Sequence, residues 1–98
     1  MTILPTVHLN GTGPSTLLAD YSNARTLLEQ ALDVLAYVHH DRDYYPQGGV
    51  AQRKAREEQL LRCAAVRGVI NDLHAMEAHV ADARDRLNYT RNQVVRTT

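Results

Sequence analysis

Two apolar rows, each alternating spacings of three and four residues, constrain this chain more than any other feature. Leu17, Tyr21, Ala24, Leu28, Ala31, Leu35 and Val38 form the first; Val66, Val69, Leu73, Met76, Val80, Ala83 and Leu87 form the second, which extends to Val94. That alternation is the seam of a helix lying along a near-parallel or antiparallel neighbour. Between the rows, HHDRDYYPQGG holds Pro46, which disfavours helix before it, and Gly48-Gly49, a flexible exit. The expected fold is therefore all-α, an antiparallel helical hairpin. Its parts are an extended arm at 1–14, a first helix at 15–40, a loop at 41–49, a second helix at 50–88 and a tail at 89–98, together one helical domain.

The ends of these elements have local causes. Asn10-Gly11 is a turn dipeptide, Pro14 suits a first helical turn because its missing N–H would be unpaired there, and Ser15 can cap. In the second helix Leu60, Leu61, Cys63 and Ala64 stand out of phase with the row that follows, so the seam is expected to rotate near Gly68. A glycine inside a helix costs about 1 kcal/mol relative to alanine, and Gly68 marks either a close helix crossing or a break.

Length and composition then bear on assembly. Some 25 residues give a first helix of about 37 Å and some 40 a second of about 60 Å. The apolar stripe beyond about Met76 is thus left for the arm or a second subunit to cover. The chain has 98 residues, 44% of them hydrophobic and mainly Ala and Leu, with five Tyr and neither Phe nor Trp. So thin a core seldom stabilises one hairpin, and a homo-oligomer is expected.

Net charge is zero, which argues against general nucleic-acid binding. The single cysteine, Cys63, has no internal disulfide partner, and neither a signal-type apolar run nor one long enough to span a bilayer occurs, so the cytoplasm is the expected compartment. Charge is nevertheless uneven. Residues 1–50 carry two basic and five acidic groups, a balance of −3, and residues 51–98 carry nine and six, a balance of +3. Complementary hairpin arms, with helical pairs such as Arg53 with Glu57 and Lys54 with Glu58, explain this; an anion-binding face is the other reading.

Catalytic and metal chemistry find little support. His39 and His40 diverge by about 100° on a helix, and His74 and His79 differ by five positions rather than four. Cys63 beside Leu60 and Ala64 reads as a small apolar filler. No Walker sequence, nucleophile elbow or dinucleotide fingerprint occurs, so the chain is expected to be no enzyme and to need no cofactor or metal.

Two segments remain as candidate ligand sites. The turn of His8, Asn10, Gly11 and Thr12 runs into a helix N-terminus, where free N–H groups favour a phosphate or carboxylate. Arg42, Tyr44 and Tyr45 lie in the loop, a composition able to stack a base and pair its phosphate, with Arg53 and Lys54 nearby in sequence. Ordinary structure accounts for the same letters: a helix cap at the turn, a tyrosine plugging the hairpin end, and Arg42 paired with Asp41 or Asp43.

HLNGTG opening a leucine-rich helix, followed by RDYYPQG before an Arg- and Ala-rich one, resembles small accessory proteins of phages and prophages over roughly residues 7–70. That resemblance implies an anti-defence role in the host bacterial cytoplasm, and some compact helical oligomers of that kind sequester cyclic-nucleotide or cyclic ADP-ribose signals. The expected function is thus a non-enzymatic sponge for a nucleotide-type immune signal. The alternative is a helical interaction module that inhibits a host protein, or assembles with a phage component, through the exposed seam of its second helix.

Overall fold

In the computed structural model, residues 2–97 are described, with side chains described for residues 2–90. The chain is all-helical, a helix packing against a long one: α1 spans Pro14–Leu35, a 3₁₀ helix spans Asp41–Gln47, and α2 spans Gly49–Thr97. Among the described residues there is no strand and no helix long and apolar enough to cross a membrane.

Helix α1 starts at Pro14, one residue before the expected start at 15; Gly13 supplies the first acceptor, its carbonyl receiving Leu17 N–H at 3.0 Å, and Ser15 lies within the first turn. The helix stops at Leu35, five residues short of the expected His40. It unwinds through Tyr37 N–H to Val34 O at 3.0 Å and Val38 N–H to Leu35 O at 3.4 Å, after which His40 is extended at φ −126°. The expected loop is largely a 3₁₀ helix, and Pro46 is tolerated near its end because few backbone bonds remain to be lost there. Gly48 closes it at φ +96°, a conformation that disfavours any side chain, and donates to Tyr45 O at 3.1 Å before its own carbonyl opens α2. The expected tail continues as helix to Thr97; Thr98 and the Val94 side chain lie outside the described residues.

Helix α2 runs unbroken through Gly68, where an added Cβ would meet nothing within 4 Å, so neither a crossing nor a break occurs there. Its inward positions are Gln59, Cys63, Val66, Ile70, Leu73, Glu77 and Val80, alternating four and three with no change of phase. The rotation expected near Gly68 requires Val69 in the seam; Ile70 is buried instead, and Val69 is exposed. On α1 the inward row includes Arg25, Leu28, Leu32 and Leu35, whereas the expected Ala24 and Ala31 are exposed, and Val38, also exposed, lies beyond the helix end. Both helices carry two adjacent apolar rows, and periodicity cannot rank them.

The chain forms two compact units, Met1–Arg25 with Asp72–Thr98, and Thr26–Asn71. In the first, the arm lies along α2. Thr2 Oγ1 donates to Asp72 Oδ1 at 2.6 Å, and His79 Nε2 donates to Pro5 O at 2.8 Å. Arg25 reaches Glu77 through two donors, Nε to Oε2 at 2.6 Å and Nη2 to Oε1 at 3.3 Å. Val80 is 0% exposed, so the stripe beyond Met76 is partly covered by the chain's own arm and the start of α1. In the second unit Gln59 is buried and its amide donates to Leu35 O at 2.6 Å, a much shorter bond than the 3.4 Å one that this carbonyl accepts from Val38 N–H where α1 unwinds.

Candidate functional site

The loop of the second unit builds the more polar of two candidate sites. Asp41 is its anchor. Arg56 of α2 grips that carboxylate with Nη2 at 2.5 Å from Oδ2 and Nε at 3.3 Å from Oδ1, and His39 Nε2 lies 2.9 Å from Oδ1. The bond from Arg56, and secondarily that from His39, holds the Asp41 carboxyl below its ordinary value, while Asp41 raises the Arg56 guanidinium. The Tyr44 ring stacks on His39, centroids 5.2 Å apart and planes 15° from parallel.

These fastenings leave an open hollow of about 540 Å³ lined by His39, His40, Asp41, Arg42, Tyr45 and Arg56. With Asp41 taken by Arg56 and His39, Arg42 makes no hydrogen bond or ion pair with any described residue. The two tyrosines divide. Tyr44 is half-buried against His39, and Tyr45 is exposed on the hollow. A second hollow, lined by Ala36, Gln59, Leu60, Cys63 and Arg67, shares His39 and Arg56 with the first and so adjoins it.

Lys54 lines a separate shallow hollow with Tyr44 and Gln47, and Arg53 is exposed beside it in sequence. The expected pairs Arg53 with Glu57 and Lys54 with Glu58 do not form; Glu58 lies 3.7 Å from Arg62 instead. That arrangement has the acid four residues before the base, the more favourable order along a helix. The complementary-arm reading of the charge therefore accounts for Arg56 but leaves Arg42, Arg53 and Lys54 facing solvent.

The arm turn is built differently. Gly11 N–H closes it on His8 O at 3.1 Å, and the His8 ring packs so close that a Cβ on Gly11 would lie 2.7 Å from Nε2. Of the expected residues, His8 and Gly11 line a hollow of about 520 Å³ whose other walls are Val7, Leu9, Gly13, Pro14, Leu87 and Thr90. Asn10 and Thr12 are exposed and not part of it. The turn and the loop belong to different units.

Asp41 and His39 shape the loop, whereas the sequence marks Asp41 only as a pairing partner for Arg42. From sequence, His39 presents itself only as a metal-ligand candidate and Arg56 only as one charge among many, because their contacts with Asp41 form in three dimensions. Among the described residues no three of His, Cys, Asp and Glu gather as metal ligands would. No protein-family model, no curated protein and no solved structure matches the chain.

Proposed function

We propose that this chain is a non-enzymatic binding protein that holds a nucleotide-type anion in the loop hollow of the Thr26–Asn71 unit, working as an antiparallel hairpin assembled into a homo-oligomer. One observation carries the reading: Arg42, without a partner among the described residues, lines the same hollow as the exposed ring of Tyr45 and the guanidinium of Arg56. A guanidinium grips phosphate through paired donors, and an aromatic face stacks a base at about 1–3 kcal/mol. Ala36, Leu60 and Cys63 line the adjoining hollow beside Gln59 and Arg67 and offer apolar contact for the rest of the ligand. Given the resemblance to phage accessory proteins, the ligand class is a cyclic nucleotide or cyclic ADP-ribose signal, sequestered in the host bacterial cytoplasm as an anti-defence measure. The turn at His8–Thr12 lends less support, since its hollow is walled largely by apolar side chains.

Isothermal titration with cyclic dinucleotides, cyclic trinucleotides and cyclic ADP-ribose isomers tests this. At least one is expected to bind the wild type, and Arg42→Ala and Tyr45→Ala are expected to abolish that heat without changing the melting temperature. Tyr44→Ala, which removes the partner of His39, is expected to lower the melting temperature. No heat from any of these ligands removes the reading. An interaction module is the second reading, and the exposed apolar side chains Leu27, Val34, Tyr37 and Val38 favour it.

A further inference from the structure

Charge around the loop hollow is unevenly committed. Asp41, Arg42 and Arg56 are its ionised lining, two guanidiniums against one carboxylate, a balance of +1 with His39 and His40 neutral. Arg56 is already spent, since its Nε and Nη2 both donate to Asp41. That leaves Arg42 as the uncommitted cation among the residues lining this hollow. The adjoining hollow has the same character: Arg67 makes no hydrogen bond or ion pair with any described residue, and no carboxylate lines it.

Asp41, for its part, stays at the hollow as a fixed negative charge. Its side chain is 34% exposed, and Arg56 of α2 and His39 ahead of the 3₁₀ helix hold the carboxylate in place and favour its ionised form. A phosphate seated on Arg42 therefore shares the hollow with that charge. A phosphodiester brings one negative charge, which one guanidinium matches through paired donors. A phosphomonoester brings nearly two at neutral pH. The second charge finds no uncommitted cation in the hollow and meets a carboxylate instead. Over a few ångströms at a protein surface, that repulsion amounts to about tenfold in affinity or more.

Building on the nucleotide reading above, we infer that the loop hollow selects phosphodiesters over phosphomonoesters, with Asp41 as the residue that turns the monoester away. With Arg42 and Arg67 in adjoining hollows, the ligand class that fits is a cyclic dinucleotide, whose two phosphates carry one charge each. Isothermal titration at about pH 8, where a monoester is fully ionised, compares three probes: cyclic di-AMP, the linear diadenylate with a terminal monoester, and the methyl ester of that terminal phosphate. The wild type is expected to bind cyclic di-AMP about tenfold or more tighter than the linear form. Methylation, which removes the extra charge without closing the ring, is expected to recover about fivefold or more. Asp41→Asn is expected to tighten the linear form by a similar factor, whereas Asp43→Asn, which removes an exposed carboxylate outside the hollow, leaves it unchanged. Where Asp41→Asn disturbs the loop and weakens every probe, the methyl-ester comparison on the wild type decides. Equal affinity for the linear form and its methyl ester overturns the inference while nucleotide binding stands, and so does an equal response to the two Asn variants. No heat from any of the three probes overturns it as well; heat from a cyclic mononucleotide, cyclic trinucleotide or cyclic ADP-ribose isomer then keeps the broader reading alone.

Discussion

The Met1–Arg25 with Asp72–Thr98 unit and the Thr26–Asn71 unit draw on the same two helices, and each combines buried apolar side chains with polar contacts, yet their non-helical segments are fastened by different contacts. In the first, an extended arm lies on α2, a ring nitrogen ties it through Pro5 O, and Val80 is sealed from water. In the second, Cys63 and Ile70 are buried between the helices, but the loop itself is fastened by polar groups: an amide on the last carbonyl of α1, and a carboxylate shared by Arg56 and His39. Burial needs side chains that fit and leaves little unsatisfied. Charge pairing at a loop fixes some groups and leaves neighbours such as Arg42 facing solvent, and those neighbours are what a ligand can use. The difference suggests why the more polar hollow lies in the loop unit, while the hollow at the arm turn is mainly apolar.

The contrast breaks most visibly at Val80. Val80→Asp places an unpaired carboxylate where exposure is 0%, and a loss of about 3 kcal/mol or more is expected, enough to unfold the chain in a thermal melt. A small shift in melting temperature would mean that the arm does not seal this position. Gly68→Ala acts in the opposite direction. With open space around an added Cβ and helix on both sides, alanine is expected to stabilise by about 0.5–1 kcal/mol in denaturant unfolding. Destabilisation there would restore the close crossing that the sequence suggested.

The smallest effect belongs to Asp41. Its carboxyl is held below the ordinary 3.8, by the bond from Arg56 first and from His39 second, so the stability that it lends is fully present above that value and fades as pH falls through the lowered one. Asp41→Asn removes this contribution at every pH. The wild type is therefore expected to melt slightly above the variant at about pH 5, with the gap closing towards about pH 2. A gap that persists in acid would show that charge is not what fastens the loop.

Much of this architecture is legible from the letters alone. Two rows at three-four spacing give two helices, and the Pro46 and Gly48 region gives the connection between them. Less legible is which row turns inward. Ala24 and Arg25, Ala31 and Leu32, and Val69 and Ile70 are neighbours, and a shift of one position turns a side chain by about 100°. An arginine and a glutamate within the seam are not apparent from hydropathy, because each is acceptable there only with the other opposite it. At the candidate site, Arg42, Tyr44 and Tyr45 were visible as a composition, whereas the grip of Arg56 on Asp41 depends on a contact fifteen positions apart.

Sequence by itself determined the helices, because a helix is specified by residues three and four apart and by breakers that act on their immediate neighbours. Tertiary structure decided where the arm lies, which carboxylate Arg56 takes, and which apolar row is left outside. Thr2 meets Asp72 across 70 positions and Pro5 meets His79 across 74. Such pairings have no local signature, since several arrangements satisfy the same periodicity and only side chains meeting in space distinguish them.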